Sequence, residues 1–86
     1  MAYNIAYKKS VHRDLKKLSK AEAGRILDQI EQGLLKEPES NPVLKGQFTG
    51  LRKFRVGDYR VIYALLGDDV LILRIGHRRD VYKGEI

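Results

Sequence analysis

"LRKFRVGDYRVIYALLGDDVLILRIGH", residues 51–77, decides the fold of this 86-residue chain. Apolar and polar side chains alternate along most of it, and a period of two predicts β-strands. Two Gly-Asp pairs interrupt the pattern, and glycine in the first position of a two-residue loop suits a type II′ hairpin turn. We therefore predict three successive antiparallel strands. They span 51–56, 58–66 and 69–77, with turns at Gly57-Asp58 and Gly67-Asp68.

The residues before this stretch predict one strand and two helices. "YNIAYK" (3–8) alternates like a short strand, and the apolar residues between Ser10 and Leu18 recur at helical spacing. Ser19 with Glu22 three residues later is a capping-box pattern that opens a second helix. Its apolar stripe continues to Leu35, and Pro38 and Pro42 are expected to end it. The predicted fold is α+β, in the order β-α-α-β-β-β: a single domain over 1–86, with a helical hairpin on one face of a mostly antiparallel sheet.

Composition restricts the class of protein. Hydrophobic residues are 43% of the chain, and no apolar run approaches the roughly 20 residues of a spanning helix, so no membrane partner is expected. "MAYNIAYKKS" (1–10) lacks the layout of a signal peptide and cysteine is absent, which together favour the cytoplasm. Seventeen Lys and Arg against eleven Asp and Glu give a net charge of +6. That charge favours a polyanionic partner, either nucleic acid or an acidic protein.

Strand alternation predicts which side chains share each sheet face. Helices cover one face only, so the other is expected to remain open to a ligand. The residues assigned to the helix-covered face are Phe54, Val56, Tyr59, Val61, Tyr63, Leu65, Leu71, Leu73 and Ile75. The residues assigned to the open face are Lys53, Arg55, Arg60, Ile62, Ala64, Leu66, Ile72, Arg74 and Gly76.

The open face is expected to be strongly basic. Lys53, Arg55 and Arg60 fall on it, and the segment from His77 to Tyr82 should arrive beside them. Like charges packed together destabilise a small fold, so a ligand is expected to supply the counter-charge. Phosphate is the natural candidate, because arginine binds it bidentately and tyrosine can hydrogen-bond it or stack on a base.

Other chemistries have weaker support in the sequence. His12 and His77 are the only histidines of the chain, and no carboxylate or cysteine lies at ligand spacing from them. Neither a metal nor a cofactor is therefore expected. His12 is predicted to lie on the solvated side of the first helix. "GQFTG" (46–50) lacks the lysine of a phosphate-binding loop, and neither GxSxG nor GxGxxG occurs.

With these elements placed, the chain resembles the RelE/ParE superfamily of bacterial toxins from toxin–antitoxin pairs, and most of all its RelE-like branch. The resemblance covers essentially the whole chain. It rests on "RVGDYRVIY" (55–63) together with "GHRRDVY" (76–82), which are specific as a pair although either alone would be weak.

The resemblance implies a ribosome-dependent endoribonuclease that cuts mRNA in the A site without a metal. The mRNA 2′-hydroxyl would attack the adjacent phosphorus. Arg60 and Arg78 would stabilise charge on the transition state. The implied catalytic residues are Lys53, Arg60, His77, Arg78 and Tyr82. The implied RNA-binding residues are Lys53, Arg55, Arg60, Arg74, Arg79 and Lys83.

The chain departs from the family pattern in one respect. Efficient members place lysines where this chain has Lys53 and then Arg55, and arginine is not a base at neutral pH. Lys53, His77 and Tyr82 are therefore left as candidate bases. His77 titrates nearest pH 7, but a histidine that only contacts phosphate fits the sequence equally well.

Two other functions share this fold. A ParE-like member would poison DNA gyrase without cutting RNA, and an inactive member would only bind its antitoxin. "HRRDVY" (77–82) favours the nuclease. The partners implied are an acidic antitoxin, the ribosome with its mRNA, and operator DNA through the antitoxin only.

Overall fold

The computed structural model describes residues 3–46 and 49–81. Each predicted strand and helix is present within a few residues of its expected bounds. The strands are β1 (Asn4–Tyr7), β2 (Arg52–Val56), β3 (Tyr59–Leu66) and β4 (Asp69–His77). The helices are α1 (Lys9–Lys16) and α2 (Lys20–Gln32), followed by 3₁₀ turns at Leu34–Lys36 and Pro38–Ser40.

The four strands form one mixed sheet in the order β1-β4-β3-β2. β2, β3 and β4 are antiparallel neighbours, whereas β1 runs parallel to β4, with Asn4 opposite Asp69 and Tyr7 opposite Ile72. Gly57 and Gly67 have φ of 60° and 62°, and no described non-glycine residue has a positive φ. This combination matches the predicted type II′ turns, which need a positive φ only at their first central residue. The α+β prediction is confirmed.

The two helices begin and end for identifiable reasons. The Ser19 hydroxyl accepts the Glu22 backbone N–H at 3.1 Å, so the predicted N-cap of α2 is confirmed. α2 ends earlier than predicted, at Gln32, and not at the prolines. A Cβ on Gly33 would lie 3.0 Å from Phe54 Cζ, so the missing side chain lets β2 approach the helix here. The 3₁₀ turn that follows directs Leu34 into the core, where it is fully buried.

The core lies between the helices and the sheet. Val11, Ile26 and Ile30 from the helices pack against the sheet. The buried strand residues of this core are Val56, Val61, Tyr63, Val70, Ile72 and Ile75. Tyr63 also anchors the loop after α2, because its hydroxyl donates to Pro38 O at 2.5 Å and accepts from Asn41 Nδ2 at 3.0 Å.

The prediction for β4 is wrong in part. The β3–β4 register shifts between Ile62, which faces Arg74, and Tyr63, which faces Ile72. Leu73 is therefore an extra residue, and a β-bulge of this kind reverses the alternation on one side of it. Before the bulge, Val70 and Ile72 are buried instead of Leu71 and Leu73, whereas Ile75 after it is buried as predicted.

Within the described ranges, no helix is both long and apolar enough to cross a membrane.

Candidate functional site

The sheet face away from the helices carries two rows of side chains across β2, β3 and β4. Strand pairing places Arg55 opposite Arg60 and Arg60 opposite Gly76. The next row holds Lys53, Ile62 and Arg74. The structure therefore brings Lys53, Arg55 and Arg60 together, as the strand pattern predicted. We call these three residues the basic face.

Arg55 and Arg60 converge on one backbone carbonyl. Arg60 Nη1 donates to Gly57 O and to Tyr59 O, both at 3.1 Å, and Arg55 Nε donates to Gly57 O at 3.4 Å. The carbonyl of the hairpin turn thus holds two guanidinium groups side by side at one end of the sheet. Like charges directly opposite each other on neighbouring strands are destabilising. This end of the sheet therefore concentrates positive charge that an anion would neutralise.

The segment after β4 turns back toward the same end. The Arg78 N–H donates to Asp58 O at 2.8 Å, which joins this segment to the β2–β3 turn. The N–H groups of Asp80 and Val81 both donate to His77 O, at 2.8 and 2.9 Å. Arg78 is exposed, and its backbone lies beside the turn that joins the strands of Arg55 and Arg60. Arg79 is also exposed in this turn.

The predicted open face is not open at its centre. Val81 is fully buried, and a Cβ on Gly76 would lie 3.4 Å from the Val81 Cβ. Since Gly76 faces Arg60 in the sheet, Val81 packs on the side that the helices leave free. Ile62, assigned to the open face, is fully buried as well. The accessible part of this side of the sheet is therefore the basic face, which borders the apolar centre.

His77 lies on the other side of the sheet from the basic face. It pairs with Tyr59, and the two rings meet edge to face with centroids 5.8 Å apart. A hydrogen bond to Glu22 and then burial raise the pKa of the Tyr59 phenol. The structure therefore does not place the His77 ring among Lys53, Arg55 and Arg60.

A backbone hydrogen bond also defines which His77 nitrogen carries the proton. His77 Nδ1 accepts the Arg79 N–H at 3.3 Å, and only an unprotonated ring nitrogen can accept. In the neutral ring the proton then lies on Nε2.

Arg74 is directed to α1. Its Nε lies 3.4 Å from Asp14 Oδ2, and the same oxygen accepts the Ile75 N–H at 3.0 Å. β1 pairs with β4 only as far as Ile72. Beyond that residue α1 covers the edge of β4, and the Ser10 hydroxyl donates to Leu73 O there. An RNA-binding role for Arg74 stays a prediction, with one side of its guanidinium already held by Asp14.

Asp14 is the residue that sequence reasoning missed. It is 7% exposed, although a charged residue in a short surface helix is ordinarily solvated. Its position, three residues after Val11 and next to Leu15, was the available signal, because that spacing places it on the buried stripe of α1.

Two predicted site residues, Tyr82 and Lys83, lie outside the described residues. Their roles remain predictions from the sequence. His12, predicted to be solvated, is exposed.

Known proteins resemble this chain both in sequence and in fold. Residues 5–82 match the family model of the ParE toxin of the type II toxin–antitoxin system. Toxin RelG of Mycobacterium tuberculosis is 31% identical over an alignment of 88 residues. The alignment covers 96% of this chain and 99% of the relative.

Solved structures give the same result. The toxin–antitoxin complex RelBE2 of Mycobacterium tuberculosis contains a chain that is 27% identical, with a TM-score of 0.84 over 91% of this chain and 100% of that one. The archaeal RelE–RelB complex of Pyrococcus horikoshii contains one that is 34% identical, with a TM-score of 0.69 over 94% and 100%. The chain belongs to the RelE/ParE superfamily of toxins of type II toxin–antitoxin systems.

Proposed function

We propose that this toxin is a metal-independent endoribonuclease that enters the A site of the translating ribosome and cuts mRNA there. One observation carries the proposal: Arg55 and Arg60 are paired across β2 and β3, both donate to Gly57 O, and the Arg78 backbone N–H donates to Asp58 O in the same turn. A phosphodiester bound between these guanidinium groups would offset their repulsion. Arginine also matches the geometry of phosphate oxygens, which favours this ligand over a carboxylate-bearing metabolite.

The reaction follows from the substrate. The 2′-hydroxyl oxygen attacks the adjacent phosphorus as the bond to the 5′-oxygen of the next nucleotide breaks, and a 2′,3′-cyclic phosphate is left. Negative charge grows on the non-bridging oxygens, where Arg60 and Arg78 would stabilise it. Donors aimed at developing charge are commonly the largest contribution in such sites.

Proton transfer is assigned by position. Lys53 lies on the basic face two residues before Arg55, and its amine would exchange a proton with the nucleophile or the leaving oxygen. Tyr82 keeps the roles that the resemblance implies, which are to orient or stack the substrate and to take part in proton transfer. His77 is given no part in this proton transfer, because its ring lies against Tyr59 on the other side of the sheet.

The partners of this toxin follow from its family and its charge. The RelE-type neighbours in Mycobacterium tuberculosis and Pyrococcus horikoshii were solved as toxin–antitoxin complexes. An acidic antitoxin is the corresponding partner here, and a net charge of +6 makes that pairing favourable. Operator DNA would be reached through the antitoxin, in the cytoplasm.

A gyrase poison is the second candidate, favoured by the matching family model, which is that of the ParE toxin. Primer extension on a defined mRNA in a translating extract, with a parallel DNA gyrase supercoiling assay, separates the two. New 5′ ends within coding sequence, seen only with engaged ribosomes, are the result expected for the nuclease. Inhibited supercoiling without new ends would transfer the protein to the gyrase-poison class.

A further inference from the structure

A cavity at the edge of β4 lies outside the basic face. Its volume is about 320 Å³, and it lies between the end of α1 and the last residues of β4. Small-molecule sites usually measure about 300–1,000 Å³. The cavity is therefore large enough for a group of the size of one nucleotide.

Two aromatic rings form one wall of this cavity. They are Tyr59 and His77, which stand at 85° to each other. The His77 ring is held in place by the Arg79 N–H, which donates to Nδ1. A flat heterocycle entering here would stack on one ring and meet the edge of the other. Unpaired RNA bases are commonly bound by tyrosine and histidine in this way.

A basic groove leads away from the aromatic wall. A second cavity of about 220 Å³ shares Asp14, Lys17 and Arg74 with the first and continues along α1 to Arg13. The two cavities are lined by Arg13, Lys17 and Arg74 against Asp14 and Asp80. The Asp14 carboxylate is already engaged by the Ile75 N–H and by Arg74, so the groove is cationic. A cationic groove joined to aromatic platforms is the arrangement that binds single-stranded nucleic acid.

The cavity lies at the same end of the sheet as the basic face. Its aromatic wall ends at His77, and Arg78, the next residue, is hydrogen-bonded to the β2–β3 turn. We propose that the cavity between α1 and β4 binds one unpaired RNA nucleotide, with its base against Tyr59 and His77 and its phosphate at Lys17. This proposal rests on the proposed function, since it supplies a second contact for the RNA that the basic face would cut.

The test compares two uncleavable probes for the purified toxin. One is a 2′-O-methyl RNA trinucleotide, and the other is the same trinucleotide with its bases removed, so that both carry the same phosphates. Stacking of one base is expected to make the first probe bind about 5- to 150-fold more tightly. On the unmodified protein, intermolecular nuclear Overhauser effects are expected between base protons and the rings of Tyr59 and His77. Equal affinity of the two probes, or base contacts elsewhere only, would overturn the proposal.

Matched variants locate the phosphate contact. Lys17→Ala is expected to weaken both probes more than Lys16→Ala, because the two changes remove the same charge but only Lys17 is among the residues that line the cavity. Equal effects would overturn the assignment of Lys17. These binding measurements do not depend on cleavage, so base-dependent binding without any nuclease activity would overturn the proposed function and leave the pocket in place. Ring signals that respond to an acidic antitoxin but to neither probe would assign the cavity to a protein partner and overturn it as a nucleotide site.

Discussion

Asp14 shows how a single side chain ties α1 to the sheet. Its Oδ2 accepts the Ile75 N–H at 3.0 Å and lies 3.4 Å from Arg74 Nε, at an edge of β4 that β1 does not reach. The carboxylate takes the place of a strand partner. Asp14 thereby fixes α1 against β4 close to the end of this strand at His77, and it also lines the cavity between α1 and β4.

Removal of this carboxylate is predicted to destabilise the fold. Asp14→Ala leaves the buried Ile75 N–H without its acceptor, at a cost of about 1–3 kcal/mol in the free energy of unfolding. Asp14→Asn keeps an oxygen acceptor and is expected to lose less. Urea denaturation measures both, with His12→Ala as the exposed control on the same helix, expected within about 0.5 kcal/mol of the unchanged protein. An Asp14→Ala variant as stable as the control would contradict this account.

Tyr63 makes stability sensitive to alkaline pH. Burial, the largest effect on it, raises the pKa of the phenol above its ordinary value of 10.0. The unfolded chain therefore loses this proton first, so the stabilisation is complete below about pH 10 and declines as the pH rises toward the folded pKa. Tyr63→Phe is expected to cost about 1 kcal/mol at neutral pH through the lost Pro38 hydrogen bond.

The same variant should show a shallower loss of stability above pH 10 than the unchanged protein. Some loss should persist, because the pKa of Tyr7 is raised too, mainly by burial. Thermal unfolding followed between pH 7 and pH 11 makes the comparison. Parallel curves for the two proteins would mean that Tyr63 is not responsible.

At the scale of elements, two glycines in and after α2 have opposite consequences. Gly24 lies within the helix with open space around its Cα, so Gly24→Ala is expected to stabilise by about 0.5–1 kcal/mol. A Cβ at Gly33 would lie 3.0 Å from Phe54 Cζ and 3.1 Å from Gln29 O, so Gly33→Ala is expected to destabilise by about 1 kcal/mol or more. Chemical denaturation of the two variants tests this. Stabilisation by both changes would show that β2 does not need the space at Gly33.

The elements themselves were predictable from the sequence, because strand alternation, Gly-Asp turns and the Ser19 cap are local signals. The end of α2 at Gln32 was not, because the apolar stripe continues to Leu35 and no local signal shows that Phe54, distant in sequence, lies beside Gly33. The bulge at Leu73 also has no local signal. It follows from how β4 pairs with β3 while its other edge passes from β1 to α1.

The candidate site was predictable to a similar extent. Alternation correctly grouped Lys53, Arg55 and Arg60, because strand neighbours two residues apart share a face. It could not show that Val81 returns over Gly76, since that depends on the turn after β4. The position of His77 opposite Tyr59, by contrast, follows from the pairing of β3 with β4, two residues after the buried Ile75. Two candidate sites result: the basic face on one side of the sheet, and the cavity between α1 and β4 that Tyr59 and His77 line.

At the scale of the whole molecule, Arg78 should separate function from stability. Its side chain is exposed, so Arg78→Ala is expected to change the free energy of unfolding by no more than about 0.5 kcal/mol. Loss of a group that stabilises transition-state charge should lower the single-turnover cleavage rate by about 100- to 1,000-fold. Arg79→Ala removes the same charge one residue later and is expected to weaken binding while the rate at saturation is largely kept. Equal rate losses in the two variants would argue for a general charge effect.

Toxicity on induced expression gives a second readout of the same site. Arg78→Ala and Tyr82→Phe are both expected to abolish growth inhibition in a protein that still folds and still binds its antitoxin. Two folded variants that remain fully toxic would remove both residues from the site.

The most direct test of the nuclease proposal is single-turnover cleavage of ribosome-bound mRNA with and without one 2′-deoxy substitution. The cut position is first located on all-ribose mRNA, and the nucleotide immediately 5′ to it is then replaced by its 2′-deoxy form. Cleavage of the first mRNA to a 2′,3′-cyclic phosphate or its hydrolysis product is expected, and none at that position in the second. Equal cleavage of both would show that the 2′-hydroxyl is not the nucleophile, and no cleavage of either would contradict the proposed activity.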